Sequence, residues 1–116
     1  MPSRTWQERV QDILDAAGRI GIYVQGMTFD KFIEDSRTLD AVVRNIVIIA
    51  EAANHLPFDI RSRLSDVPWG NIIGMRNRLV HTYFQIDTTI VWNAATIYVP
   101  PLASRLQSYI ASSNTP

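Results

Sequence analysis

Apolar side chains return every three or four residues through most of this chain, and no stretch alternates convincingly with period two. That periodicity restricts the fold to helices packed along their apolar faces. Trp6, Val10, Ile13, Leu14, Ala17, Ile20, Gly21 and Val24 make the first such face. "TWQE", Thr5 to Glu8, has capping-box form, so a helix is expected from about Thr5 to Tyr23. Gly26 breaks it, Thr28 is placed to cap, and Phe29, Phe32 and Ile33 suit a short second helix. A third begins near Thr38. Its broad face of Leu39, Val42, Val43, Ile46, Val47, Ile49, Ala50 and Ala53 predicts a central position.

"HLPFDIRSRLSDVPWG" reads as a punctuated connector with a turn or two of helix around Asp59 to Leu64. Pro68 suits a first helical turn, with Asp66 just before it as a candidate cap, and the next helix is expected from about Trp69 to Tyr83. "QIDTT" is a loop. Asp87 should cap a last helix from Thr88 to about Tyr109, kinked by Pro100 and Pro101. The closing "SSNTP" should fray. Together these elements predict an all-α, single-domain antiparallel bundle of about five helices over residues 1–116.

Composition narrows the function. With 47% hydrophobic and 19% charged residues among 116, the chain has the make-up of an ordinary soluble globule. It has no cysteine, which excludes disulfides and thiolate metal sites. The first residues lack the apolar run of a signal peptide, and "IVIIA", Ile46 to Ala50, is too short to span a bilayer. A cytoplasmic protein with no membrane association is the expectation. Net charge is zero, which disfavours a general nucleic-acid coat, but the charge is uneven. Residues 1–60 hold six basic and nine acidic side chains, whereas residues 61–116 hold five and two. Arg61, Arg63, Arg76 and Arg78 face only Asp66 between positions 61 and 83.

"GMRNRLVHTYF", Gly74 to Phe84, lies in that basic stretch. On one continuous helix Arg76 and Tyr83 fall nearly in line, and Asn77 and His81 share an adjacent face. Arg76 and His81 would stand about 140° apart. For both to reach one substrate, the helix end must unwind or a second copy must complete the site. The chemistry is coherent: imidazole exchanges protons near neutral pH, guanidinium forks onto phosphate, and asparagine orients a phosphate or ribose hydroxyl. With no metal cluster in the pattern and no cofactor implied, these groups point to RNA cleavage by its own 2′-hydroxyl. The plainer reading is a basic helix end whose arginines cover apolar surface and whose histidine favours the dipole.

A second polar set, Arg44, Glu51 and His55, lies along one line of the central helix. It reads either as a structural Arg44–Glu51 ion pair or as a second cleft wall with Arg44 turned to phosphate. Two histidines and scattered carboxylates do not make a zinc site. Nucleotide-binding glycine loops and serine nucleophile motifs are absent.

"RNRLVHTY", Arg76 to Tyr83, resembles the R-x-x-x-x-H-x-Y signature of HepT-like toxins in the HEPN superfamily. "FIEDSRTLDAVVRNIVIIAEAA", "VPWGNIIGMRNRLVH" and "IDTTIVW" resemble that family's successive segments, so the likeness runs from about Phe32 to Trp92. Ala50 stands where the family pattern has glycine. The resemblance implies an all-helical homodimer with its cleft between subunits, acting as a metal-independent endoribonuclease of a type VII toxin–antitoxin pair. It implies Arg76 and His81 as the catalytic pair, supported by Asn77. Arg44 from the second polar set and Arg78 from the basic stretch are the candidates to bind RNA. The resemblance further implies an MNT-type minimal nucleotidyltransferase as antitoxin, with Tyr83 the tyrosine it adenylylates. A different class of function, a non-catalytic helical module that docks a nucleotidyltransferase, fits the same segments without needing the Arg76/His81 pair.

Overall fold

A computed structural model describes residues 4–82 and 85–113, with residues 80–82 and 85 described by backbone path alone. The fold is all-helical, as the periodicity requires, apart from one minimal pair of strands. Helix α1 spans Trp6–Val24, and its cap is the expected one: Thr5 Oγ1 accepts from the Glu8 N–H at 3.1 Å. After Gly26, whose φ of 74° lies in the left-handed region, Thr28 caps α2, Phe29–Glu34. Helix α3 runs Ser36–Asn54.

Asp35 starts α3. Its Oδ1 accepts from the Thr38 N–H at 3.1 Å and its Oδ2 from the Thr38 hydroxyl at 2.8 Å. The Thr38 backbone and hydroxyl bonds favour the carboxylate, so its pKa lies below the ordinary 3.8. A lowered folded pKa means this stabilisation is complete above 3.8 and disappears as pH falls through the folded value. Asp35→Asn is therefore expected to flatten the acid limb of the stability–pH curve while leaving the neutral limb's shape unchanged. Urea titrations at stepped pH would measure this.

Helices α1 and α3 form the centre, and the helices at Val99–Ser113 and Trp69–Ile73 close over them. Val10, Ile13, Ile20, Val42 and Ile46 are completely buried. Each such aliphatic side chain contributes about 1.5–3 kcal/mol relative to exposure. Asn45, 3% exposed, is the buried polar side chain among the described residues. It is satisfied, donating to the Ala41 carbonyl at 2.8 Å and accepting from Arg19 Nε at 2.7 Å, which ties α1 to α3.

Helix α4, Phe58–Arg63, matches the short helix expected in the connector. Beyond it the outcome differs. Asp66 does not cap the next helix; it binds Arg105, and α5, Trp69–Ile73, starts without a side-chain cap. A single helix from Trp69 to Tyr83 is also not what forms. The chain breaks at Gly74, resumes as α6, Met75–Leu79, and then becomes extended in β1, Val80–Thr82. β1 pairs antiparallel with β2, Gln85–Ile86, with Val80 opposite Ile86. Helical periodicity in "RNRLVH" does not distinguish these outcomes, but β-branched Val80 and Thr82 favour extended backbone once a partner strand is present. The Asp87 N–H reaching the Leu79 carbonyl at 3.4 Å closes the excursion.

Asp87 then caps α7, Thr88–Asn93, as expected, accepting from the Thr89 and Ile90 N–H groups. The last helix is interrupted just before its prolines. A π-helical turn, Ala94–Tyr98, precedes α8, Val99–Ser113, and places Pro100 and Pro101 in α8's first turn. No helix among the described residues is long and apolar enough to cross a membrane.

Candidate functional site

Helix α6 is only five residues long, and its orientation is set by two apolar anchors. Met75, 4% exposed, and Leu79, completely buried, hold its inner side on the core. The three residues between them, Arg76, Asn77 and Arg78, are consequently exposed. At about 100° per residue they form an arc of roughly 200° over the helix surface.

One end of that arc meets α3. Arg76 Nη1 donates to Glu51 Oε1 at 2.7 Å, with the two side chains 60% and 48% exposed. A single-pronged pair this open to water adds at most about 1 kcal/mol. Its value is positional, because it aims the guanidinium while leaving other N–H groups uncommitted to Glu51. Glu51 therefore pairs across helices. An Arg44–Glu51 pair within α3 is not what the structure contains. Arg44 is exposed on the same face of α3, seven residues or about 10 Å of helix rise from Glu51. The second-wall reading thus has a geometric basis, since α3 and α6 are packed together at Glu51 and Arg76.

His55 is the C-cap of α3, and its ring Nδ1 lies 2.8 Å from the Glu51 carbonyl. A carbonyl can only accept, so Nδ1 donates and His55 serves to finish the helix. At the other end of the arc, Arg78 Nη2 donates to the Asn71 carbonyl at 2.7 Å.

His81 sits in the middle of β1, so the helical separation of about 140° from Arg76 no longer governs the pair. The backbone at His81 is extended, which is one of the two alternatives that the spacing left open. The His81 side chain lies outside the described residues, as does Tyr83. Among the described residues no three His, Asp or Glu side chains gather as a metal site. Sequence reasoning missed two contacts, Glu51 to Arg76 and Asp66 to Arg105. They join residues 25 and 39 positions apart, beyond any local pattern. Asp66 is held below the ordinary carboxylate range chiefly by its hydrogen bond from Arg105, which in turn raises the guanidinium.

The family model "Ribonuclease HepT-like" matches residues 13–109, nearly the whole described structure. The chain belongs to the HepT-like ribonuclease family. Among relatives of this HepT-like chain, "Putative RNase MJ0127" of Methanocaldococcus jannaschii is 35% identical over 86% of this chain and 83% of its own. "Putative RNase TTE0752" of Caldanaerobacter subterraneus subsp. tengcongensis is 36% identical, covering 75% and 78%. "Probable ribonuclease HepT" of Thermococcus cleftensis is 29% identical, covering 90% and 94%. No solved structure gives a significant match. The HepT-like assignment spans α6 and both strands, so the motif falls inside the matched region.

Proposed function

We propose that this HepT-like protein is a cytoplasmic, metal-independent endoribonuclease and the toxin of a type VII toxin–antitoxin pair. One HepT-like domain over residues 1–116 does the work, as a homodimer with its cleft between subunits. The observation that carries the reading is Arg76: a guanidinium left exposed on α6 and aimed by Glu51, within the Arg76–Tyr83 motif that also holds His81. RNA supplies the nucleophile. The 2′-oxygen attacks phosphorus as His81 takes its proton, the P–O5′ bond breaks, and a 2′,3′-cyclic phosphate remains. The proton returns to the departing 5′-oxygen. Arg76, with Asn77 beside it, stabilises charge on the pentacoordinate phosphorus. Arg44 and Arg78 bind the flanking backbone.

Regulation is assigned to Tyr83. An MNT-type nucleotidyltransferase antitoxin adenylylates its hydroxyl, placing bulk and negative charge two residues from His81 in the path of RNA. The test is induced expression without the partner, scored by growth and RNA integrity. Cleavage ends should carry 2′,3′-cyclic phosphate, and chelators should leave the rate unchanged; dependence on an added metal ion would refute this chemistry. Tyr83→Phe is expected to remain toxic and resist silencing by active partner enzyme. If that variant is silenced at the wild-type stoichiometry, modification is not the switch.

Glu51 is the positioning residue in this scheme. Glu51→Ala should change stability by no more than about 1 kcal/mol. It should lower kcat by roughly 10- to 100-fold, because Arg76 loses its aim. KM should not rise, since removing a carboxylate beside phosphate does not weaken anion binding. Steady-state kinetics on a defined RNA separate these effects, and a rise in KM at unchanged kcat would assign Glu51 to substrate binding instead.

A further inference from the structure

On the side of α6 away from Glu51, Arg78 borders a cavity of about 360 Å³ between α5 and the start of α8. Val67, Ile72, Met75 and Leu102 contribute apolar lining. Ile97 and Tyr98 form one wall, and both are unusually open for such side chains, at 54% and 59% exposed. They belong to the π-helical turn Ala94–Tyr98, an irregularity often found at functional sites.

The charges around the mouth are not balanced. Arg105 is met by Asp66 through two hydrogen bonds, of 2.8 and 3.3 Å. Arg78 is met by a neutral carbonyl, that of Asn71. The mouth thus retains net positive charge, as a phosphate-bearing occupant requires. Size excludes a packed helix, whose diameter with side chains is about 10–12 Å. The volume lies at the lower end of small-ligand sites, about 300–1,000 Å³. An open tyrosine ring beside an apolar floor, with a guanidinium at the rim, is the arrangement on which unpaired bases stack. The exposed arc Arg76–Asn77–Arg78 connects this mouth to the proposed scissile position.

We propose that this cavity receives one unstacked nucleobase of the RNA strand, its ring against Tyr98 and its adjoining phosphate on Arg78. The inference rests on the ribonuclease reading but adds to it: the enzyme engages single-stranded RNA with one base splayed out of the strand.

The test uses the whole chain and a short single-stranded RNA carrying 2′-O-methyl groups, which cannot supply the nucleophile. An abasic residue is walked along this strand and affinity is read by fluorescence anisotropy. One abasic position should weaken binding about tenfold, the order expected for one lost stacked base. Tyr98→Ala should lose the same factor with the intact strand and become insensitive to the abasic residue. Tyr98→Phe, which keeps the ring, should behave as wild type. An abasic penalty undiminished in Tyr98→Ala, or none at any position, overturns the proposal. So does Tyr98-dependent binding of free adenosine monophosphate without any abasic effect in RNA, which would make the cavity a free-nucleotide site. Failure of the wild type to cut unmodified RNA would remove the ribonuclease reading and leave the anisotropy result standing.

Discussion

Replacing His81 or Arg76 by alanine is expected to reduce RNA cleavage by about 10²–10⁴-fold each. The two losses have different origins and should be separable. Without His81, the 2′-hydroxyl has no positioned base and the 5′-oxygen no positioned acid, so the rate should lose the pH dependence that a proton-carrying imidazole gives it. Without Arg76, the pH profile should persist at a lower level, because the missing contribution is fixed charge opposite phosphorus. Arg76→Lys should recover only part of the loss, since an ammonium keeps the charge but not the two-pronged geometry. The exposed position of Arg76, and of the α6 surface around it, means that its removal costs the fold little. Melting temperature is therefore expected to stay near wild type. Cleavage retained in His81→Ala at the wild-type rate would remove its acid–base role, and DNA lacking the 2′-hydroxyl should resist both enzymes.

The largest loss of stability is expected for Phe32→Ala, about 3–5 kcal/mol. Phe32 is completely buried, and its ring centroid is 5.0 Å from that of Trp92, which Phe29 also approaches at 6.1 Å. Removing the ring leaves a cavity at the junction of α2, α3 and α7 and deletes an aromatic pair, while alanine cannot refill the space. Chemical denaturation should show a lower midpoint at unchanged slope. The consequence should reach the site, because α7 begins directly after β2 and Trp92 anchors it. A folded fraction of Phe32→Ala examined at low temperature should therefore cleave more slowly than wild type. Phe32→Leu, which retains much of the volume, should recover most of the stability. A stability change below about 1 kcal/mol for Phe32→Ala would mean that the cluster is not the clamp its burial suggests.

The path of the chain from α1 through α3 was legible because its signals are local. A cap and the backbone N–H that donates to it lie three residues apart at Thr5 and Thr28, and one turn repeats the apolar face that burial then selects. Asp87 is read in the same way. The region 69–86 was not, because two kinds of order compete there at short range. "RNRLVHTY" satisfies a helical pattern, yet β-branched Val80 and Thr82 accept an extended partner strand, and only the return of Gln85 and Ile86 decides between them. A similar limit applies to Asp66, which looks like a cap beside Pro68 until Arg105 arrives from 39 residues away.

From the order of residues alone come the helical class, the basic segment with its arginine, histidine and tyrosine, and the likeness to HepT-like ribonucleases. Tertiary structure alone decided that Arg76 is aimed by Glu51 and that Arg78 borders an apolar cavity. The division has a physical cause. Capping and amphipathicity act over one turn of backbone, whereas a long, solvated arginine chooses its partner only after packing has fixed which carboxylates and carbonyls lie within its reach.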